Sequence, residues 1–354
     1  MAVNVSTSTN SSSNYTNNPC MIHFIGCNPI RWWAVVLPTN SAFSFLLNIL
    51  VVIVICRYRA LRNTKEYTMI LFLSMADSIS GLASTLGHGW KLHLILTGRV
   101  CACTRAIMCL LGPYNWMWRW CDFSQTGMLL AISCDRLFAL CAPATYYKMG
   151  RDYVLKLGGF VYLYGVINVS FGVFYPVQHA GKVVSLVCFP SQIYAKWFYE
   201  YTKYMSSVQS ALSIIVYVFV WIKFKRTIGS KITDKEDAQT ILYKKRQRKL
   251  TTTLGISSII TFLLDVIPRG LGITWDFNPP TFKFGPLSPG DVLFQFDKWN
   301  ANANFLIYAL RHEEIRLGLK ALFTGQRMPD SMDQWGATKN ASNVSGAKST
   351  NVKM

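Results

Sequence analysis

Residues 204–222 read YMSSVQSALSIIVYVFVWI, and residues 223–249 follow at once with KFKRTIGSKITDKEDAQTILYKKRQRK. The first segment contains no Asp, Glu, Lys or Arg. Its length is close to the roughly 20 residues that cross the hydrocarbon core of a bilayer. The second segment carries ten Lys or Arg residues. An uncharged run that stops at a block of positive charge is the pattern of a membrane span ending on its cytoplasmic side.

The same alternation continues on both sides. Apolar stretches recur at 34–56, 68–89, 106–134, 154–176, 251–272 and 289–310. Pro38, Pro113 and Pro268 interrupt some of them, which membrane helices tolerate. One such stretch would fit a buried helix of a soluble protein; seven predict an all-α, seven-transmembrane helix bundle. The segment 57–65 carries Arg57, Arg59, Arg62 and Lys65, whereas Arg31 is the only Lys or Arg in the first 33 residues. Basic segments stay inside, so the N-terminus is expected outside and, with an odd number of spans, the C-terminus inside. The expected organisation is an extracellular glycosylated tail over 1–33, the bundle over 34–310, an amphipathic helix over 311–325 and a disordered cytoplasmic tail over 326–354.

Composition narrows the classes. Of 354 residues, 51% are hydrophobic and 15% charged, against about 25% charged in soluble domains. Mean hydropathy is +0.24. These values exclude a disordered chain and speak against a soluble enzyme. Lys and Arg number 36 against 17 Asp and Glu, a net charge of +19. Nucleic acid is not the expected partner, because its recognition needs a contiguous basic face. Here the basic residues sit in short segments between spans, where they set topology and attract anionic membrane lipid.

Residues 1–18 are rich in Asn, Ser and Thr and carry glycosylation triplets at Asn4, Asn10 and Asn14. They lack the apolar core of a signal peptide. Two further triplets, at Asn340 and Asn343, fall in the tail expected inside, away from the glycosylation machinery. All ten cysteines lie at or before Cys188. Cys20, Cys27, Cys101, Cys103, Cys109 and Cys188 fall near the outer face, where disulfides form; spacing alone leaves their pairing open. Cys56, Cys121, Cys134 and Cys141 are expected free. No zinc spacing, nucleotide-binding glycine loop or internal repeat is evident, and no cofactor is expected. The lack of a repeat counts against a two-repeat transporter.

Several motifs then fall in order along the spans. The third span ends Ser133-Cys134-Asp135-Arg136-Leu137, followed by Pro143 and Tyr146-Tyr147. The second reads Leu73-Ser74-Met75-Ala76-Asp77, and the first contains Leu47-Asn48. The sixth holds Phe262 and Pro268, and the seventh runs from Asn300 through Asn304-Phe305-Leu306-Ile307-Tyr308 into His312-Glu313-Glu314-Ile315-Arg316. Together these resemble rhodopsin-like (class A) G-protein-coupled receptors over about residues 34–325. The departures mark a divergent branch. Leu137 and Phe305 replace the family's aromatic and Pro, and Asp265-Val266 stands where the family usually has Cys-Trp. The fourth span has no Trp, the fifth no Pro, and Cys109 is offset by about two residues from the family's cysteine. The overall pattern resembles invertebrate peptide receptors and nematode serpentine chemoreceptors.

The resemblance implies a plasma-membrane receptor, not an enzyme, that senses an extracellular ligand and activates a heterotrimeric G protein. The ligand class stays open between a small chemosensory or pheromone cue and a neuropeptide. Arg136 is implied to be held by Asp135 at rest and freed on activation. Pro268 and Tyr308 belong to the implied switch, and Asn48, Asp77, Asn300 and Asn304 to a polar cluster that in the family binds sodium. A Cys109–Cys188 disulfide is implied, with Cys101 and Cys103 as alternatives to Cys109.

Charges inside a membrane are costly and call for partners or purpose. Arg119 and Asp122 share a helix face; Arg269 follows Pro268; Asp297 and Lys298 lie in the seventh span. One expectation is a ligand pocket of mixed charge rimmed by Trp116, Trp118, Trp120 and Trp299, with Arg119 or Arg269 binding a carboxylate. The other is mutual neutralisation, Arg119 with Asp122 and Lys298 with an aspartate, though adjacent Asp297 and Lys298 should not face each other. Lys298 precedes Tyr308 by the spacing of the retinal-linking lysine of opsins, which keeps a photoreceptor as an alternative. A transporter or channel with charges lining a path is another. An intramembrane enzyme lacks a paired-Asp or His-Glu helix motif.

Overall fold

The computed structural model describes residues 31–100, 102–228, 252–253, 255–277 and 289–325. The triplets at Asn4, Asn10, Asn14, Asn340 and Asn343, and most of the basic run 223–249, lie outside the described residues, as do Cys20, Cys27 and Cys101.

Seven long helices among the described residues form one bundle. They are α1 (Arg31–Arg57), α2 (Lys65–Leu96), α3 (Pro113–Cys141), α4 (Arg151–Gln178), α5 (Lys196–Ile228), α6 (255–277) and α7 (Pro289–Arg311). A shorter helix, α8 (Glu313–Thr324), follows α7 after a break at His312, whose backbone is extended. It ends at Gly325, where φ is 69° and a side chain would strain the left-handed cap. α3 is central, packing on α2, α4 and α5, while α1 lies along α2 and also meets α7 and α8.

The helices run longer than the apolar stretches that predict them, because polar ends continue the helix past the apolar core. The third span differs in kind. Ala106–Leu111 forms a separate turn, and α3 begins only at Pro113. Pro disfavours helical backbone in the residue before it, and Gly112 is extended (φ −64°, ψ 117°). α6 contains a π-helical turn, Phe262–Val266. Pro268 supplies no N–H, and in a regular helix its ring would meet the Leu264 carbonyl; widening the preceding turn relieves that clash.

The interior encloses many polar side chains between its apolar clusters, and the exterior is apolar. Ser41, Ser44, Asn48, Ser74, Ser84 and Ser124 are fully enclosed, while Phe160, Phe171 and Phe174 of α4 are 65–68% exposed. Such a surface suits hydrocarbon as solvent, where backbone groups must be satisfied within each helix. Among the described residues, five helices are long and apolar enough to cross a membrane. The two that fall short, α3 and α7, carry the interior charges Arg119, Asp122, Asp135 and Arg136, and Asp297 and Lys298. The protein is a multi-pass membrane protein of seven-helix architecture.

Close packing relies on glycine where backbones approach. A Cβ at Gly81 of α2 would lie 2.5 Å from the Phe45 backbone nitrogen of α1. At one end of the bundle, strands β1 (Cys103–Arg105) and β2 (Val183–Ser185) pair antiparallel, Thr104 opposite Val184. Cys109 and Cys188 form a disulfide there, with Cα atoms 5.4 Å apart. Cys103 is disulfide-bonded as well. This is the disulfide end; Arg136 marks the other.

Candidate functional site

Three buried polar layers stack along the bundle axis. At the Arg136 end, Arg136 Nη2 lies 2.6 Å from Asp135 Oδ2 and donates to Tyr146 Oη at 3.0 Å. Tyr146 Oη donates to the same carboxylate oxygen at 3.1 Å. Tyr146 sits on a helical turn, Pro143–Lys148, fastened to the start of α2 by Lys65. The Lys65 ammonium donates to the carbonyls of Tyr146 (2.8 Å) and Met149 (3.3 Å) and stands 3.7 Å over the Tyr146 ring. Burial pushes the Tyr146 phenol well above its ordinary range, so it stays a donor. Arg136 Nε and Nη1 and Asp135 Oδ1 are buried without hydrogen-bond partners. The guanidinium is therefore held through one nitrogen rather than by the stronger two-nitrogen fork.

The middle layer joins five helices. Gln125 Nε2 donates to Asp77 Oδ1 at 2.7 Å, and Asn304 Nδ2 faces Asp77 Oδ2 at 3.5 Å. Ser257 Oγ donates to Asn304 Oδ1 (2.8 Å) and Thr261 Oγ1 to Asn300 Oδ1 (3.1 Å), so α6 is tied to α7. Asn48 Nδ2 donates to the Ala301 carbonyl at 3.3 Å, tying α1 to α7. Tyr308 is buried toward the Arg136 end and lines, with Leu73, Ser133, Tyr217, Ser257 and Thr261, a cavity of about 20 Å³. That is room for about one water molecule.

The third layer, nearer the disulfide end, is a belt of charges. Arg269 bridges two carboxylates, Asp265 through Nε and Asp297 through Nη2 (3.1 Å). It also donates to Ser206 Oγ at 3.1 Å, while Ser210 Oγ donates to Asp265 Oδ2 at 2.7 Å. Lys298 Nζ lies 2.9 Å from Asp297 Oδ2 and donates to Ser80 Oγ of α2. Arg119 Nη1 lies 3.0 Å from Asp122 Oδ2 and donates to Thr202 Oγ1 at 3.0 Å. The belt thus links α2, α3, α5, α6 and α7. Pro268, within α6, directly precedes Arg269 and follows the π turn.

Sequence expectation and structure part company at specific residues. Asp297 and Lys298, adjacent in α7, do meet, with Lys298 Nζ 2.9 Å from Asp297 Oδ2. The two ion pairs expected from neutralisation are both present, and Arg269 is engaged by two carboxylates. The tryptophan rim does not form. Residues two apart on a helix point about 200° apart, so Trp118 faces away from Trp116 and Trp120 and the three do not line one pocket together. Trp116 and Trp299 are 44% and 55% exposed. Trp118 donates to Ser84 of α2 at 2.8 Å, and Trp120 packs on Tyr162 of α4 with ring centroids 4.8 Å apart. Sequence reasoning passed over Gln125, Ser80 and a polar stripe on α5. Thr202, Ser206, Ser210 and Ser213 are all buried and spaced by three or four residues, a helical period that was readable.

Residues 47–280 match the sequence profile described as 7 transmembrane receptor (rhodopsin family). A comparison with curated proteins gives no match. The profile covers more than half of the chain, and the ordered motifs and seven-helix bundle agree with it. The chain belongs to the rhodopsin family of seven-transmembrane receptors, which signal and are not enzymes.

Proposed function

We propose that this receptor senses an extracellular ligand at its disulfide end and activates a heterotrimeric G protein at its Arg136 end, in the plasma membrane with the N-terminus outside. The Asp135–Arg136–Tyr146 lock carries the reading. It buries a guanidinium on a single nitrogen, leaving Nε and Nη1 without partners. A partner that offers acceptors to those nitrogens after the helices part replaces an incomplete set of bonds with a fuller one. The coupling runs through α6, which the belt ties to α5 and α7 and the middle layer ties to α7.

The ligand enters the belt in this reading. Arg119 and Asp122 meet it on α3; Arg269, Asp297 and Lys298 meet it on α6 and α7. Each charge there already has an opposite partner, so a ligand acts by exchange, its own carboxylate or ammonium displacing one member of a pair. A small charged cue and the terminus of a neuropeptide both fit that chemistry. Lys298 acts as a member of the belt, its ammonium shared by Asp297 and Ser80, rather than as an aldehyde-linking amine.

The test is a screen of small charged metabolites and peptides in cells reporting several G-protein pathways, run on wild type and Arg136→Ala at equal surface level. The expected result is a ligand response that Arg136→Ala abolishes. A ligand-dependent current or flux that persists in cells lacking G proteins would replace this reading with a transporter or channel.

A further inference from the structure

The resemblance implies a sodium ion at Asp77, and the residues around Asp77 do not fit one. A hard cation needs several oxygens turned inward around it. Here Asp77 Oδ1 receives the Gln125 amide at 2.7 Å, and Oδ2 faces the Asn304 amide nitrogen at 3.5 Å. The side-chain oxygens of α7 are turned to α6, Asn304 Oδ1 toward Ser257 and Asn300 Oδ1 toward Thr261. Asn48 Oδ1 and the Ser44, Ser74 and Ser124 hydroxyls have no hydrogen-bond partner, but both oxygens of Asp77, the one anionic donor among these residues, face amide nitrogens. The orientation of the Gln125 amide follows from chemistry: a carboxylate only accepts, so the reverse orientation would set two oxygens 2.7 Å apart.

The Lys298–Asp297 ion pair stands close by. Ser80 lies three residues after Asp77 on the same face of α2, and it accepts from the Lys298 ammonium.

We infer that Gln125 closes this pocket to sodium: the side-chain amide is the built-in partner of Asp77, and the resting receptor does not depend on the ion. The inference goes beyond the G-protein reading and stands or falls without it, because heating reads it with neither ligand nor G protein present. Purified wild-type receptor is heated in sodium chloride and, at matched ionic strength, in N-methyl-D-glucamine chloride. The two midpoints are expected to coincide. Gln125→Ser removes the amide and offers a hydroxyl oxygen; it is expected to gain a sodium-specific rise of about 2–4 °C at sodium well above its dissociation constant. A sodium-specific rise in wild type overturns the inference. Equal midpoints in both salts for Gln125→Ser also overturn it, since something other than Gln125 would then exclude the ion. If that variant does not fold, the sodium titration of wild type still decides whether the pocket is open or closed.

Discussion

Arg136 is held by one nitrogen, and that single contact sets what each neighbouring residue can do. Tyr146 contributes two hydrogen bonds to the lock, one from Arg136 and one to Asp135. Each is worth about 0.5–1.5 kcal/mol, so losing both in Tyr146→Phe, about 1–3 kcal/mol, is expected to raise ligand-free signalling by about 5–150-fold. A basal reporter at matched surface level reads this, and unchanged activity would remove Tyr146 from the lock. Arg269 poses the opposite case. Replacing it with Ala strips the buried Asp265 of its ion-pair partner and leaves the half-buried Asp297 to Lys298 alone, a loss of about 3–5 kcal/mol for the broken buried pair. Arg269→Ala is expected to abolish surface expression, and Asp265→Asn in the same chain to restore part of it, as flow cytometry would measure. No restoration would mean that the guanidinium contributes by packing rather than by charge. At this scale the sequence was legible where helical spacing governs, as for Arg119 and Asp122. It misled where side-chain length governs, as for Asp297 and Lys298. Gln125 went unread because it stands among Asp122, Ser124 and Thr126, and which of these polar residues reaches Asp77 shows only once α2 is placed beside α3.

Element by element, boundaries depart from the apolar pattern at prolines. Pro113 delays α3 by a turn and a bend, and Pro268 opens the π turn of α6; both are local backbone effects that hydropathy does not register. The extent of the helices was otherwise readable; α8 spans Glu313–Thr324. Packing between elements was not, because a glycine in sequence does not announce which backbone it admits. Gly81 admits α1: a Cβ there would meet backbone, which cannot rotate aside. Gly81→Val is expected to cost about 1–3 kcal/mol through overpacking, lowering the apparent melting midpoint of the purified receptor by about 2–12 °C. A midpoint equal to wild type would show that α1 and α2 shift apart freely.

For the whole molecule, the net charge of +19 reads as topology. Ten of its basic residues lie in 223–249, and the interior charges of the described layers are paired or hydrogen-bonded. The apolar exterior, with polar and charged side chains enclosed between the helices, makes the bundle a membrane protein on physical grounds independent of the family profile. With the N-terminus outside, enzymatic deglycosylation of cell-surface receptor should lower its apparent mass, and replacing Asn4, Asn10 and Asn14 together by Gln should remove that shift. A mass unaffected by the glycosidase would contradict the proposed orientation.

The central claim is that the Asp135–Arg136 pair holds a signalling receptor at rest. The most direct measurement is nucleotide exchange on purified heterotrimeric G proteins by ligand-free receptor in lipid discs, comparing wild type, Asp135→Asn and Arg136→Ala. Asp135→Asn, which weakens the hold on the guanidinium, is predicted to accelerate exchange several-fold over wild type on at least one G protein, and Arg136→Ala to reduce it to the rate without receptor. Exchange that is the same for all three proteins would contradict the account.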